Sequence, residues 1–296
     1  MKESLVALAA LAAMCAVMPV AQATENGGST YPAAENFMMG AAPPPGFHML
    51  GYATTYTATK NSDGNANANA GTPNFKLNVN VAAARFVWPT DKQLMGGSML
   101  FHAIVPVVDL TLGFGGTSQH KTGLGDITLG AGVVYHHSQN LHSVMAIDVV
   151  APTGDYKSTD FANIGRNYWS VQPTYLRSYI NPNGFNGDFK LTYNYNTKNT
   201  ATQYQSGDEL FVDYALGYGL GNGWTVGAAG YWTKQATDDS GTGAIFGSNH
   251  KNGYAIGPAL KYQSPSHWFI TAKLIQETMR NAAEGTALSI KAILPL

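Results

Sequence analysis

The sequence predicts an all-β chain: a transmembrane antiparallel β-barrel of about twelve strands, preceded by a signal peptide and a short irregular leader. Three observations lead there. Apolar and polar residues alternate with a period of two along most of the chain, the pattern of a strand with two unlike faces. Beyond residue 23 no stretch approaches the ~18 to 20 uninterrupted apolar residues that a spanning helix needs. Charge is scarce, at 12% of 296 residues against the roughly 25% usual in soluble domains, while Gly (33), Tyr (16) and Trp (5) are plentiful. A formal net charge of −1 and a pI near 6.7 offer no basic stripe, so nucleic acid is set aside as a partner.

The opening residues, MKESLVALAALAAMCAVMPVAQA, join Lys2 to an apolar run from Leu5 to Val20 and end on Ala21-Gln22-Ala23. This reads as a secretory signal, residues 1–23, cut after Ala23. Cys15 is the only cysteine, so the processed chain is expected to carry no disulfide; a lipoprotein signal would need small residues before it, and Met14 stands there. Residues 24–46 are rich in Gly, Pro and Ala without periodicity, and Pro43-Pro44-Pro45 suits neither helix nor ladder. They form an irregular leader that either folds back into the barrel as a plug, with Phe37, Met38 and Met39 as its apolar contacts, or lies loose in the periplasm.

The barrel proper is expected over residues 47–296. Alternating segments fall near 47–58, 74–88, 97–111, 124–136, 142–152, 166–180, 185–198, 207–221, 223–236, 252–263, 266–277 and 286–296. In NFKLNVNVAAARFVW, Phe75, Leu77, Val79, Val81 and Ala83 share one face. In GDFKLTYNYN, Phe189, Leu191, Tyr193 and Tyr195 do so, and in DELFVDYALGYGL the set is Leu210, Val212, Tyr214, Leu216, Tyr218 and Leu220. The apolar faces are expected to meet lipid. Long polar loops are expected at 59–73, 112–123, 153–165, 199–206, 237–251 and 278–285, alternating with short turns, the asymmetry of outer-membrane barrels. Trp88, Tyr135, Trp169, Tyr179, Trp224, Trp232, Tyr262 and Trp268 near strand ends suit interfacial girdles. A soluble sandwich is the competing fold, but it needs a second apolar layer that this pattern lacks. The last segment, GTALSIKAILPL, must pair with the first, because an open edge in hydrocarbon leaves costly unpaired backbone groups.

Several short motifs carry a resemblance. PPPG (43–46), GLGD (123–126), APTGDY (151–156) followed by an NxGRNYW-like segment, GPALKY (257–262) and the terminal LP (294–295) together resemble the outer-membrane family called putative MetA-pathway of phenol degradation. The resemblance spans nearly all of the processed chain. It implies an outer-membrane barrel of a Gram-negative bacterium, distantly similar to fatty-acid and toluene transporters, that passes hydrophobic or aromatic compounds; it implies no residue-level site.

With the apolar faces outward, the residues expected in the lumen include Asp148, Lys190, Phe211, Asp213, Tyr231, Lys261, Phe269, Lys273 and Lys291. Charges there can brace the wall or line a solute path. The expected function is passive uptake of hydrophobic small molecules, with outer-membrane lipid and the barrel-assembly machinery as partners. The alternative is a non-conducting structural or adhesive barrel. A rim hydrolase is the remaining reading, on Ser248, Asn249 and His250, but adjacent residues in a Gly-rich loop cannot face one another as a triad requires. No enzyme activity, cofactor or metal is expected: His136, His137 and His142 read as solvated turn residues, and NSDGNANANAG (61–71) has one carboxylate where a calcium cage uses several. Pro106, Pro173 and Pro258 mark places where a ladder must lose a bond, and where a lateral opening in the wall could lie.

Overall fold

A strand placed between lipid and a polar interior must carry unlike side chains on its two faces, and the alternating segments do form such strands. The computed structural model describes residues 34–244, 250–266 and 268–294; the expected signal at 1–23, Cys15, Ser248, Asn249 and Leu296 lie outside them. The strands are β1 (His48–Asn61), β2 (Lys76–Leu94), β3 (Gly97–Phe114), β4 (Thr117–Leu124), β5 (Ile127–His136), β6 (Leu141–Ala151), β7 (Ser170–Tyr179), β8 (Phe185–Asn196), β9 (Glu209–Gly219), β10 (Trp224–Gln235), β11 (Asn252–Gln263), β12 (Phe269–Arg280) and β13 (Ala283–Leu294).

All but β4 close into a twelve-strand antiparallel barrel, in which β3 pairs with β5 and β1 with β13. The closing seam runs from Met49 opposite Leu294 to Asn61 opposite Ala283, and Thr54 donates to Ser289 across it at 3.1 Å. Closure satisfies the backbone groups of both end strands, which hydrocarbon would leave unpaired. The outer surface carries an apolar belt that includes Leu129, Ile147, Leu191, Leu216, Ile256, Leu260, Ile270, Leu274 and Leu288, all exposed. Among the aromatics expected in the girdles, Trp224, Tyr262 and Trp268 pack in a row with tilted rings, centroids 5.0 and 5.4 Å apart, beside short turns.

Two stretches expected as loops are strand. Residues 112–123 form the β3–β4 hairpin, turning at Gly115 and Gly116 with positive φ. Residues 278–285 continue β12 and β13, which are joined by Asn281 and Ala282 alone. Both stretches are polar because they stand clear of the apolar belt, so no greasy stripe marks them.

A third correction concerns β2. Its face of Leu77, Val79, Val81 and Ala83 points inward rather than to lipid, in register with Leu112, Leu110, Val108 and Pro106 of β3. At 19 and 18 residues, β2 and β3 far exceed the roughly 9–11 that cross a bilayer, and their surplus length rises above the belt. There the polarity of the wall inverts. Thr55, Asn80, Asp109 and Thr122 face outward and are linked by hydrogen bonds of 3.0, 3.5 and 2.6 Å, a row too polar for lipid contact.

At Pro106 the partner of β3 changes from β5 to β4: Ile104 faces Thr128, and Val107 faces Leu124. The ladders also skip pairs at Pro173 between β7 and β8 and at Pro258 between β11 and β12. The far edge of β4 is covered by the 152–169 loop. Gln119 accepts the Ala162 amide at 2.8 Å, and Lys121 holds Asp155, Asp160 and Asn163 at 3.0, 2.9 and 3.1 Å.

Candidate functional site

The short leader motif AENFMMG lies inside the barrel. Phe37 is fully buried, and its ring rests against Gly217 of β9, where an added Cβ would come within 2.8 Å of the ring. The leader backbone is held by wall side chains: Asp188 Oδ1 accepts the Met39 amide at 3.0 Å, and Ser178 Oγ accepts the Gly40 amide at 2.7 Å. Met38 adopts φ 68, a left-handed turn that an ordinary side chain tolerates only with fixed surroundings. The triple proline leads out of the lumen, and the Gly46 amide then bonds Pro89 O at 3.0 Å.

Glu35 is the anchor. Lys291 Nζ reaches its Oε2 at 2.9 Å, and Arg85 and Tyr52 reach its Oε1 at 3.2 and 3.3 Å. Lys291 also donates to Phe37 O at 2.9 Å, and Lys273 donates to Glu35 O. A carboxylate so deep in the barrel would be costly without compensation, and these donors supply it.

Beside the leader lies a cavity of about 370 Å³, within the range of small-molecule sites. Its apolar wall comes from Leu50, Val87, Leu100, Val144, Leu176 and Phe269, and its polar end from Tyr52, Arg85, His102, Asp148, Lys190 and Lys291. Further along the lumen the filling is polar: Glu209 pairs with Lys251 and accepts from Asn194 at 3.2 Å, while Glu277 accepts from Tyr56 at 2.7 Å and from Tyr231.

The residues expected in the lumen do point inward. Asp148 bonds His102, and Lys190 lines the cavity. Phe211 lies 5.2 Å from Lys251 Nζ, and Tyr231 binds Glu277. Asp213 sits opposite Lys190 on the neighbouring strand. Lys261 contacts Met38 Sδ at 3.6 Å, Lys273 and Lys291 hold the leader, and Phe269 lies 5.8 Å from Lys291 Nζ. Glu35, Tyr52, Arg85, His102, Ser178 and Asp188 were not foreseen as part of this site. Arg85 did leave a signal: it shares parity with Leu77, Val79, Val81 and Ala83, so a lipid-facing reading of that stripe puts a guanidinium in hydrocarbon. Glu35 left none, since the leader has no period.

Outside the lumen, His250 pairs with Asp238 at 2.6 Å. His136 and His142 face each other through Nδ1 at 2.8 Å, and His137 bonds Ser143. Asp63, the sole carboxylate of its loop, accepts the amides of Asn65 and Asn67, both at 2.9 Å.

Three short motifs meet where the β4–β5 strand breaks. Asp126 of GLGD accepts the Gly154 amide of APTGDY at 2.9 Å and the Arg166 amide of the following segment at 2.8 Å. Thr153 Oγ1 accepts the Ile127 amide at 2.9 Å and donates to Gly125 O at 3.1 Å. These bonds take the place of the ladder that ends there and fix the loop on the wall.

A closed antiparallel barrel with an apolar belt, a polar interior and a leader folded into its lumen defines a transmembrane β-barrel of the outer-membrane class, seated in the outer membrane of a Gram-negative bacterium. Residues 42–292 match the family described as Putative MetA-pathway of phenol degradation. The chain belongs to that family. Among solved structures it is similar to the COG4313 outer membrane channel from Pseudomonas putida F1, at 15% identity and TM-score 0.72, over 90% of this chain and 99% of that one. Looser likenesses are the translocator domain of the autotransporter NalP from Neisseria meningitidis (11% identity, TM-score 0.49, 87% and 91% covered) and the CymD monoaromatic hydrocarbon channel (11%, 0.47, 85% and 89%). These two superpose too loosely to bear on function. Comparison with curated proteins gives no match.

Proposed function

We propose that the protein is a passive outer-membrane channel for small hydrophobic, including aromatic, molecules, and that it catalyses no reaction. The observation that carries this reading is the cavity beside the leader, apolar over most of its lining with polar groups gathered at one end, the division of labour typical of small-molecule sites. Passage past it requires the leader to shift, because residues 35–40 fill the adjoining lumen. The leader is held by wall side chains through four backbone hydrogen bonds, at Glu35, Phe37, Met39 and Gly40, and through one carboxylate, an attachment that can be released without unfolding the wall. Family membership agrees with a route for aromatic compounds.

The test is entry of radiolabelled toluene and phenol into cells with the protein present, deleted and restored. Entry that falls on deletion and returns on restoration supports the channel. Entry indifferent to the protein, for aromatics and alkanes alike, leaves the lumen as packing and favours a structural barrel.

A further inference from the structure

The cavity that carries the proposed function also has an unbalanced charge. Its lining holds three cations, Arg85, Lys190 and Lys291, and two carboxylates, Glu35 and Asp148. Both carboxylates are already engaged. Glu35 takes Lys291 and one terminal nitrogen of Arg85, at 2.9 and 3.2 Å, and Asp148 takes His102 at 2.9 Å. What remains is cationic. Arg85 Nε is buried with no hydrogen-bond partner, and Lys190, which lines the cavity, makes no hydrogen bond or ion pair among the described residues. Asp213, opposite Lys190 on β9, attracts it electrostatically but makes no hydrogen bond to it, and its Oδ1 is buried without a hydrogen-bond partner.

A donor held away from bulk water without an acceptor, as Arg85 Nε is, is costly, and guanidinium with the half-buried Lys190 ammonium is the pairing that recognises carboxylate oxygens. The same cavity offers an apolar wall of Leu50, Val87, Leu100, Val144, Leu176 and Phe269. One negative charge neutralises the lining, and an attached apolar body covers the wall. We therefore infer that the cavity binds a compact amphipathic monocarboxylate, an aromatic ring or short alkyl chain bearing a single anionic head, with the head against Arg85 and Lys190. This deepens the channel reading and rests on it, narrowing the passenger from hydrophobic molecules in general to their singly charged acids.

The test uses the full processed protein purified in detergent, its fold checked for every variant by the heat-dependent shift on a gel. Calorimetric titration compares benzoate, octanoate and the neutral isostere benzamide. Benzoate should bind about tenfold or more tighter than benzamide, the size of effect that a charge-assisted hydrogen bond produces. Lys190→Gln should bring that ratio toward one, and Lys190→Arg should restore it. Arg85→Gln should act likewise, but it also loosens Glu35, so the Lys190 pair decides. Octanoate binding with benzoate supports the shared carboxylate chemistry, and octanoate failing where benzoate binds supports its aromatic member. A ratio near one in the native protein, or one untouched by Lys190→Gln, overturns the inference; if toluene and phenol entry still depends on the protein, the channel reading survives. Loss of that dependence, with no ligand bound, overturns both.

Discussion

His102 Nε2 and Asp148 Oδ1 lie 2.9 Å apart across a strand to which neither belongs. Strand β5 runs between them, and at the crossing stands Gly130, where an added Cβ would fall 2.2 Å from both of those atoms. The pair exists because that position has no side chain. Gly130→Ala should break it and strand a buried carboxylate, at a cost of about 3 to 5 kcal/mol. The check is the temperature at which the folded gel band disappears, which should fall clearly below that of the parent; an unchanged temperature would show that the pair contributes nothing.

Glu35 collects the donors that hold the leader. Glu35→Ala should therefore raise single-channel conductance in planar bilayers several-fold, by releasing residues 35–40 from the lumen. Gly217→Leu should do the same by another route, since a side chain there displaces the Phe37 ring. Conductance equal to the parent in both variants would mean that the leader does not limit flow.

The inversion of polarity along the wall predicts where charge is tolerated. Ile256, exposed on β11 within the apolar belt, should accept lysine only at about 2 to 4 kcal/mol if it lies near the bilayer midplane. Asn78→Lys, on the outward face of β2 above the belt, should cost close to nothing. Reversible denaturation in lipid vesicles measures both, and equal penalties would place the two positions at the same depth.

Lys121 clamps the 152–169 loop through Asp155 and Asp160. Its hydrogen bond to Asp160 holds that carboxyl below the usual aspartate range. With a lowered pKa in the folded state, the contact is fully present at neutral pH and is lost only as pH falls through that depressed value. Lys121→Met should speed trypsin cleavage after exposed Lys157 on intact cells at neutral pH, whereas mild acidification of the parent should not. Mass spectrometry of the shaved peptides reads the result.

Much of this barrel was legible because lipid imposes a sharp rule. From β8 to β13 each strand shows one apolar and one polar face, and residues such as Lys190, Asp213, Lys273 and Lys291 fall inward by parity alone. The rule fails where the wall leaves the lipid. On β2 the apolar stripe lines the interior above the belt, and only Arg85, at the same parity, betrays the true orientation. Strand β4 is polar on both faces, so TSQHKTGL looks like loop until β3 is there to pair with it. Glu35 was beyond reach, because its role depends on Tyr52, Arg85 and Lys291, which sequence separation scatters and only closure of the sheet brings together.

Those three residues belong to the first, second and last strands, and Tyr52 and Lys291 face each other across the seam. A sheet whose two ends have not yet met has no Lys291 beside Tyr52, and so has no complete socket for the carboxylate. A segment that precedes every strand in sequence is thereby among the last to find its place, and a half-zipped barrel stays empty. Occupancy of the lumen is in this sense a report that insertion has finished.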